Sequence, residues 1–143
     1  MAITQLSVFL DNVPGTLCKA VSAISGAGIN IRALSVADTR DFGIMRLIVP
    51  DAEKAKEALD EYTAAETQVI AVRMDDRTGA LKEILKVLEK DGINIEYVYA
   101  FAASTPGSAY VVLRVNDNEE AEAILAQNGI KTLCDEDLND LLS

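Results

Sequence analysis

The chain reads as an α+β protein made of two copies of one small module, each a strand–helix–strand–strand–helix–strand unit of the ferredoxin-like type. Three observations lead there. Asp11-Asn12-Val13-Pro14-Gly15-Thr16-Leu17 returns sixty-four residues later as Asp75-Asp76-Arg77-Thr78-Gly79-Ala80-Leu81. Gly28-Ile29-Asn30-Ile31 returns as Gly92-Ile93-Asn94-Ile95 at the same spacing. Between and after these motifs, hydrophobic periods of about two and about 3.6 alternate in the same order in both halves.

Each module opens on a strand. In Gln5–Leu10 the residues Leu6, Val8 and Leu10 share one face, and in Val69–Met74 the residues Ile70, Val72 and Met74 match them. The period then becomes helical. Leu17, Val21 and Ile24 line one side of the stretch Pro14–Ala27, and Leu81, Leu85 and Leu88 repeat the pattern. Pro14 suits a first helical turn, where its missing N–H is no loss. Gly28 and Gly92 fall where a helix C-terminus calls for a left-handed residue. Second strands are expected over Ile29–Asp38 and Ile93–Ala102, and third strands over Gly43–Val49 and Ala109–Val115. The turns Thr39-Arg40-Asp41 and Ser104-Thr105-Pro106-Gly107-Ser108 carry the breakers between them. The second turn is two residues longer, so the offset becomes sixty-six and Asp51 matches Asp117 as an N-cap. Helices follow over Ala52–Tyr62 and Glu119–Asn128. The last strands lie around Glu66-Thr67, running toward Val69–Met74, and over Ile130–Leu133; Asp135–Leu142 closes the chain as a short helix.

At 143 residues the chain divides naturally into modules 1–66 and 67–143. A unit of about 65–70 residues is marginal alone, so the copies are expected to pack into one body. Each module places both helices on one face of its sheet, which leaves the other face to be polar or covered by a partner.

Composition narrows the function. Net charge is −10 and no segment collects Lys or Arg, which argues against nucleic-acid and anionic-membrane partners. No apolar run approaches a membrane span, and the N-terminus lacks the pattern of a signal peptide, so the setting reads as cytoplasmic. The chain has no histidine, which removes the commonest general base and metal ligand. No catalytic constellation, metal site or cofactor is expected. Cys18 and Cys134 show no metal or redox spacing and read as small buried or half-buried residues. The acidic residues Glu53, Glu57, Asp60, Glu61, Glu119, Glu120 and Glu122 read as solvated helix faces.

The loops after the first strands are the candidate sites. A sharp turn at Gly15 or Gly79 followed by a helix start gathers unpaired backbone N–H groups at the positive end of a helix dipole. Such a place holds a carboxylate without a basic side chain. Asn12 and Asp76 stand where a side chain can accept from a cationic amino group. Anion donors beside a cation acceptor suit an α-amino acid. The plainer alternative is that Asn12 and Asp76 only cap their helices.

These motifs resemble the ACT domain, the amino-acid-sensing module of many biosynthetic enzymes. Asn12-Val13-Pro14-Gly15-Thr16-Leu17 is similar to the family's Asp/Asn-x-Pro-Gly-x-Leu start, and Gly28-Ile29-Asn30-Ile31 to its Gly-(Ile/Val)-Asn-Ile element. The second copy matches with Asp76, Gly79, Leu81 and Gly92-Ile93-Asn94-Ile95, and departs by having Thr78 in place of Pro. Ile93–Phe101 and Asp41–Arg46 are closer still to stand-alone two-ACT proteins.

The resemblance implies two modules side by side through their second strands, an eight-stranded antiparallel sheet with helices on one face, and amino acids held between the modules. It implies that Asn12, Val13, Pro14, Gly15, Thr16 and Leu17 face Asn94 and Ile95. In the second site Asp76, Arg77, Thr78, Gly79, Ala80 and Leu81 face Asn30 and Ile31. The function implied is a non-catalytic, amino-acid-binding regulatory protein with a metabolic enzyme as partner; the aromatic stripe on the second strand of the second copy points to a homodimer, and the contrast of Asn12 with Asp76 to two sites of unequal affinity. The alternative is a ligand-independent interaction subunit of such an enzyme. Tyr97, Tyr99 and Phe101 alternate on one side of their strand, which reads as core or interface packing.

Overall fold

The computed structural model describes residues 2–38, 42–102 and 106–142. Its elements run β1 (Ile3–Asp11), α1 (Thr16–Gly26), β2 (Ala33–Asp38), β3 (Phe42–Ile48), α2 (Ala52–Ala58) and β4 (Thr63–Asp75). They continue as α3 (Ala80–Lys90), β5 (Ile95–Ala102), β6 (Ser108–Val115), α4 (Asn118–Gln127), β7 (Thr132–Leu133) and α5 (Asp135–Leu142). By its contacts the chain divides into a unit of Thr4–Thr67 and a unit of Gln68–Ser143 that includes Met1–Ile3.

In the first unit β3 pairs antiparallel with both β1 and β2, with Leu6 opposite Leu47 and Leu34 also opposite Leu47. The expected core face holds. Leu6 and Val8 are fully buried with Met45 and Leu47, against Ala20 and Ile24 of α1 and Ala55 of α2. Both helices therefore lie on one face, and each buried Leu or Ile contributes about 1.5–3 kcal/mol. In the second unit β6 pairs antiparallel with β4 and β5, and β7 pairs with β4. Ile70, Val72, Val111 and Leu113 meet Ile84 and Leu88 of α3 and Leu125 of α4 in the equivalent core.

Several boundaries differ from expectation. There are seven strands among the described residues, not eight, because the strand closing the first unit and the one opening the second are one continuous strand, β4. Thr63–Asp75 contains no Gly or Pro, so nothing breaks it. Among the described residues β2 and β5 each have a single hydrogen-bonded neighbour, β3 and β6 respectively. The second strands also start later, at Ala33 and Ile95 rather than Ile29 and Ile93. The intervening residues follow a Schellman turn: Gly28 donates to the Ser25 carbonyl and Ile29 to the Ile24 carbonyl, with Gly28 at φ 75°. Gly92 repeats this at φ 76° with Glu89 and Leu88 as acceptors. α2 ends at Ala58, four residues short of Tyr62. The turn Thr39-Arg40-Asp41 and residues Ser104 and Thr105 lie outside the described residues.

The sheet face away from the helices is not open in the second unit. Val69, Ala71, Tyr110 and Val112 are buried there, and Leu133 shares that face through its pairing with Ala71. Tyr97, Tyr99 and Phe101 stand on the same side, opposite Arg114, Val112 and Tyr110, and all three are half-buried. The Phe101 and Tyr110 rings stack with centroids 5.4 Å apart, and Tyr97 stacks on Tyr99 at 6.5 Å. No described helix is long and apolar enough to cross a membrane.

Candidate functional site

Both loops after the first strands adopt one conformation. In the first, the Val13 amide donates to the Asp11 carbonyl at 3.0 Å, Thr16 to Val13 at 3.4 Å and Lys19 to Gly15 at 3.0 Å. In the second, Arg77 donates to Asp75 at 3.0 Å, Ala80 to Arg77 at 3.3 Å and Glu83 to Gly79 at 3.1 Å. Gly15 and Gly79 hold φ of 89° at the N-cap positions, so α1 begins at Thr16 and Pro14 lies in the turn before it, not in the first helical turn. A left-handed backbone there is costly for residues with a Cβ, which explains the glycine in both copies. The second loop keeps the same backbone bonds and the same glycine φ with Thr78 in place of Pro14.

Neither helix receives a side-chain cap. The alternative that Asn12 and Asp76 cap their helices is therefore overturned; both lie too far upstream. The other paired helices differ. Asp51 accepts from the Lys54 amide and Asp117 from the Glu120 amide, each at 3.1 Å. The chain thus caps α2 and α4 with carboxylates and leaves the Leu17, Cys18, Leu81 and Lys82 amides in the first turns of α1 and α3 without a capping side chain. Donors left so are open to an external anion.

The side chains around the two loops differ. Asn12 donates its Nδ2 to Asp38 Oδ1 at 2.9 Å, tying the loop to the end of β2. The Asp76 amide donates to the Gly107 carbonyl at 2.9 Å, tying the second loop to the β5–β6 turn. Arg77 Nη2 lies 2.6 Å from Glu83 Oε2, and Arg77 Nε lies 3.7 Å from Asp75. The hydrogen bond to Glu83, then its charge, raises the Arg77 pKa, and the same pair lowers that of Glu83. Asp38, Glu83 and Gly107 were not legible as neighbours of the loops; Glu83 alone had a signal, its place in the first turn of α3.

The starts of the second strands lie elsewhere in each unit. β2 runs parallel to β1, since both are antiparallel to β3, so its far end approaches the loop while Asn30 and Ile31 precede its near end. Six residues of β2 span about 20 Å. Within one unit, then, the loop and the second-strand start are not brought together. Asn30 is exposed and Ile31 packs against the core. In the second unit the Asn94 amide donates to Asn116 Oδ1 at 3.1 Å, and the Asn116 amide returns to the Asn94 carbonyl at 3.3 Å.

Each loop also borders a groove between its helix start and the turn entering the last strand. The first, about 410 Å³, is lined by Phe9, Thr16, Lys19 and Tyr62 among others, and the second, about 340 Å³, by Arg73, Arg77, Glu83 and Lys131. Cys18 is exposed on the first turn of α1, contrary to its reading as a buried residue, while Cys134 is half-buried. Among the described residues no group of His, Cys, Asp and Glu could hold a metal ion.

The βαββαβ order, with a glycine at the N-cap of the helix after the first strand, occurs once in each half of the chain. A sequence model described as an ACT domain pair matches residues 1–142, and the chain belongs to that family. Among solved structures it is similar to protein BT0572 from Bacteroides thetaiotaomicron, with 34% identity, 99% of this chain and 98% of that chain covered, and a TM-score of 0.90. It shares its fold with the regulatory subunit of aspartate kinase from Thermus thermophilus in a ligand-free form, at 19% identity, 87% and 91% coverage and a TM-score of 0.63. The corresponding subunit from Thermus flavus gives 18% identity, 86% and 88% coverage and a TM-score of 0.63. A comparison with curated proteins returns no match.

Proposed function

We propose that the chain is a non-catalytic regulatory protein that binds a free α-amino acid at each of its two loops. The observation that carries this reading is the contrast in capping. Two helices have Asp side chains on their first-turn amides, and the two that follow the family's loop motif have none. The α-carboxylate takes the amides of Leu17 and Cys18, or of Leu81 and Lys82, and the ammonium takes Asn12 or Asp76. Membership in the ACT family supports the same assignment, and the naming of the Thermus thermophilus protein as a regulatory subunit supports a regulatory output.

Asn30, Ile31, Asn94 and Ile95 complete the sites in this reading by approaching the loop of the other module. Because β2 and β5 each use one edge only, pairing of these edges between two copies of the chain is the arrangement we favour. Leu34 and Val36 on β2 and Val98 on β5 are 41%, 48% and 38% exposed, which suits strands awaiting a neighbour. Ligand binding then shifts the balance of packing states seen by an enzyme partner.

A thermal-shift screen against the standard amino acids tests the reading, using protein shown to be ligand-free by mass spectrometry. An amino acid at about one hundred times its Kd should add about 2.7 kcal/mol. For this chain length that is about 5–10 °C. A flat response to every amino acid sinks the sensor role. The ligand-independent alternative has its own support in Phe9 and Phe42, two exposed rings 5.7 Å apart in a T-shaped pair. That reading predicts a flat screen together with co-purification of an enzyme.

A further inference from the structure

The two loops do not carry their negative charge in the same place. Asn12 in the first loop matches Asp76 in the second at the sixty-four-residue offset. At that offset Asp38 matches Ala102, and the sheet register agrees: Asp38 pairs with Gly43 in β3, and Ala102 with Ala109, the equivalent position in β6. So the first module has a neutral loop side chain with a carboxylate on the strand beside it. The second has the carboxylate on the loop and none at the loop end of β5, where Ala102 stands; Glu96 lies near the strand's other end. Asp11 and Asp75 occur in both and do not distinguish them.

Chemistry fixes how the first pair is arranged. An ionised carboxylate only accepts hydrogen bonds, so the Asn12 amide must present its NH2 to Asp38, as the 2.9 Å contact shows. Its carbonyl oxygen is thereby turned away from Asp38, free to accept from an ammonium. The bond also polarises the amide and increases the negative character of that oxygen. We infer that Asp38 is the positioning residue of the first loop: through Asn12 it supplies, at one remove, the ammonium-holding charge that Asp76 supplies directly in the second. This inference rests on the amino-acid-binding reading and deepens it. The exchange of positions also predicts unequal sites, since a direct carboxylate holds an ammonium more strongly than a polarised amide.

The test is an NMR titration of the full chain with each standard L-amino acid in turn, following the Gly15 and Gly79 amides as separate reporters of the two loops. In the wild-type chain both amides should shift. Asp38→Ala should weaken binding read at Gly15 by about tenfold and leave Gly79 unchanged. The double change Asn12→Asp with Asp38→Ala reproduces the second module's arrangement and should restore binding at Gly15. A merely structural role for Asp38 would not be rescued this way. Wild-type affinity at Gly15 in Asp38→Ala, or failure of the double change to restore it while the spectrum stays folded, overturns the inference and leaves the sensor reading intact. Absence of any shift at either glycine in the wild-type chain overturns both.

Discussion

Gly15 and Gly79 stand sixty-four positions apart and hold the same left-handed backbone, φ 89° at each, directly before the first residue of a helix. A Cβ added at either meets nothing within 4 Å. The penalty for any other residue is thus conformational and not steric crowding. Gly15→Val should destabilise the chain by about 1–3 kcal/mol, and Gly15→Asn by less, because Asn tolerates the left-handed region. Chemical denaturation of the two variants measures the difference. Equal stability of Val and Gly at this position would contradict the account.

Capping gives a second contrast. Asp51→Ala and Asp117→Ala each remove a carboxylate from a helix-start amide and should cost about 1 kcal/mol. Asn12→Ala removes an exposed bond to Asp38 and caps nothing, so it should cost less than either. Thermal melts of the three variants without ligand check the order. Asn12→Ala as damaging as the Asp variants would restore the capping role rejected here.

Cys18 offers a reporter of occupancy. Its thiol is exposed on the first turn of α1, and side chains on a helix lean toward the N-terminus, toward the proposed carboxylate position. Alkylation of Cys18 should slow when a responding amino acid is added. Cys134, whose thiol donates to Asp137 Oδ2 at 3.2 Å, should show no change. Peptide mapping after timed alkylation separates the two. Unchanged protection at Cys18 under saturating amino acid counts against the site.

Asp137 closes the start of α5. It accepts from the Cys134 amide at 3.0 Å, a bond that, with the thiol contact after it, holds its carboxyl below the ordinary aspartate range. With the folded pKa depressed, the stabilisation of α5 is present above the unfolded pKa and lost as pH falls through the folded one. The Cys134 amide resonance should therefore titrate with a midpoint below that of a free aspartate, and Asp137→Asn should abolish the step. A midpoint at or above the ordinary value contradicts the bond.

The repeat made much of this fold readable. The sixty-four-residue offset carries over to φ values, turn bonds and Schellman caps, because local motifs of glycine and apolar spacing set local backbone. Leu6 and Val8 were placed correctly by alternation, since the alternate residue Phe9 is exposed. In the second unit Tyr110-Val111-Val112-Leu113 is apolar on both faces, the pattern of a strand covered twice, and of the two expectations for the second face, polar or covered, the buried Tyr110 and Val112 fit the covered one. The strand count failed because no breaker separates Thr67 from Val69. In the site, the loops and their glycines were legible, but Asp38 was not. It lies 26 residues from Asn12, and only the β1–β3–β2 pairing brings them together.

The central claim is that the uncapped first turns hold an amino acid by its backbone groups. A crystal structure with the amino acid that gives the largest thermal shift tests this most directly. The account predicts the α-carboxylate within hydrogen-bonding distance of the amides of Leu17 and Cys18 or of Leu81 and Lys82, with the ammonium on Asn12 or Asp76. An amino acid bound elsewhere, with those amides facing only solvent, would contradict it.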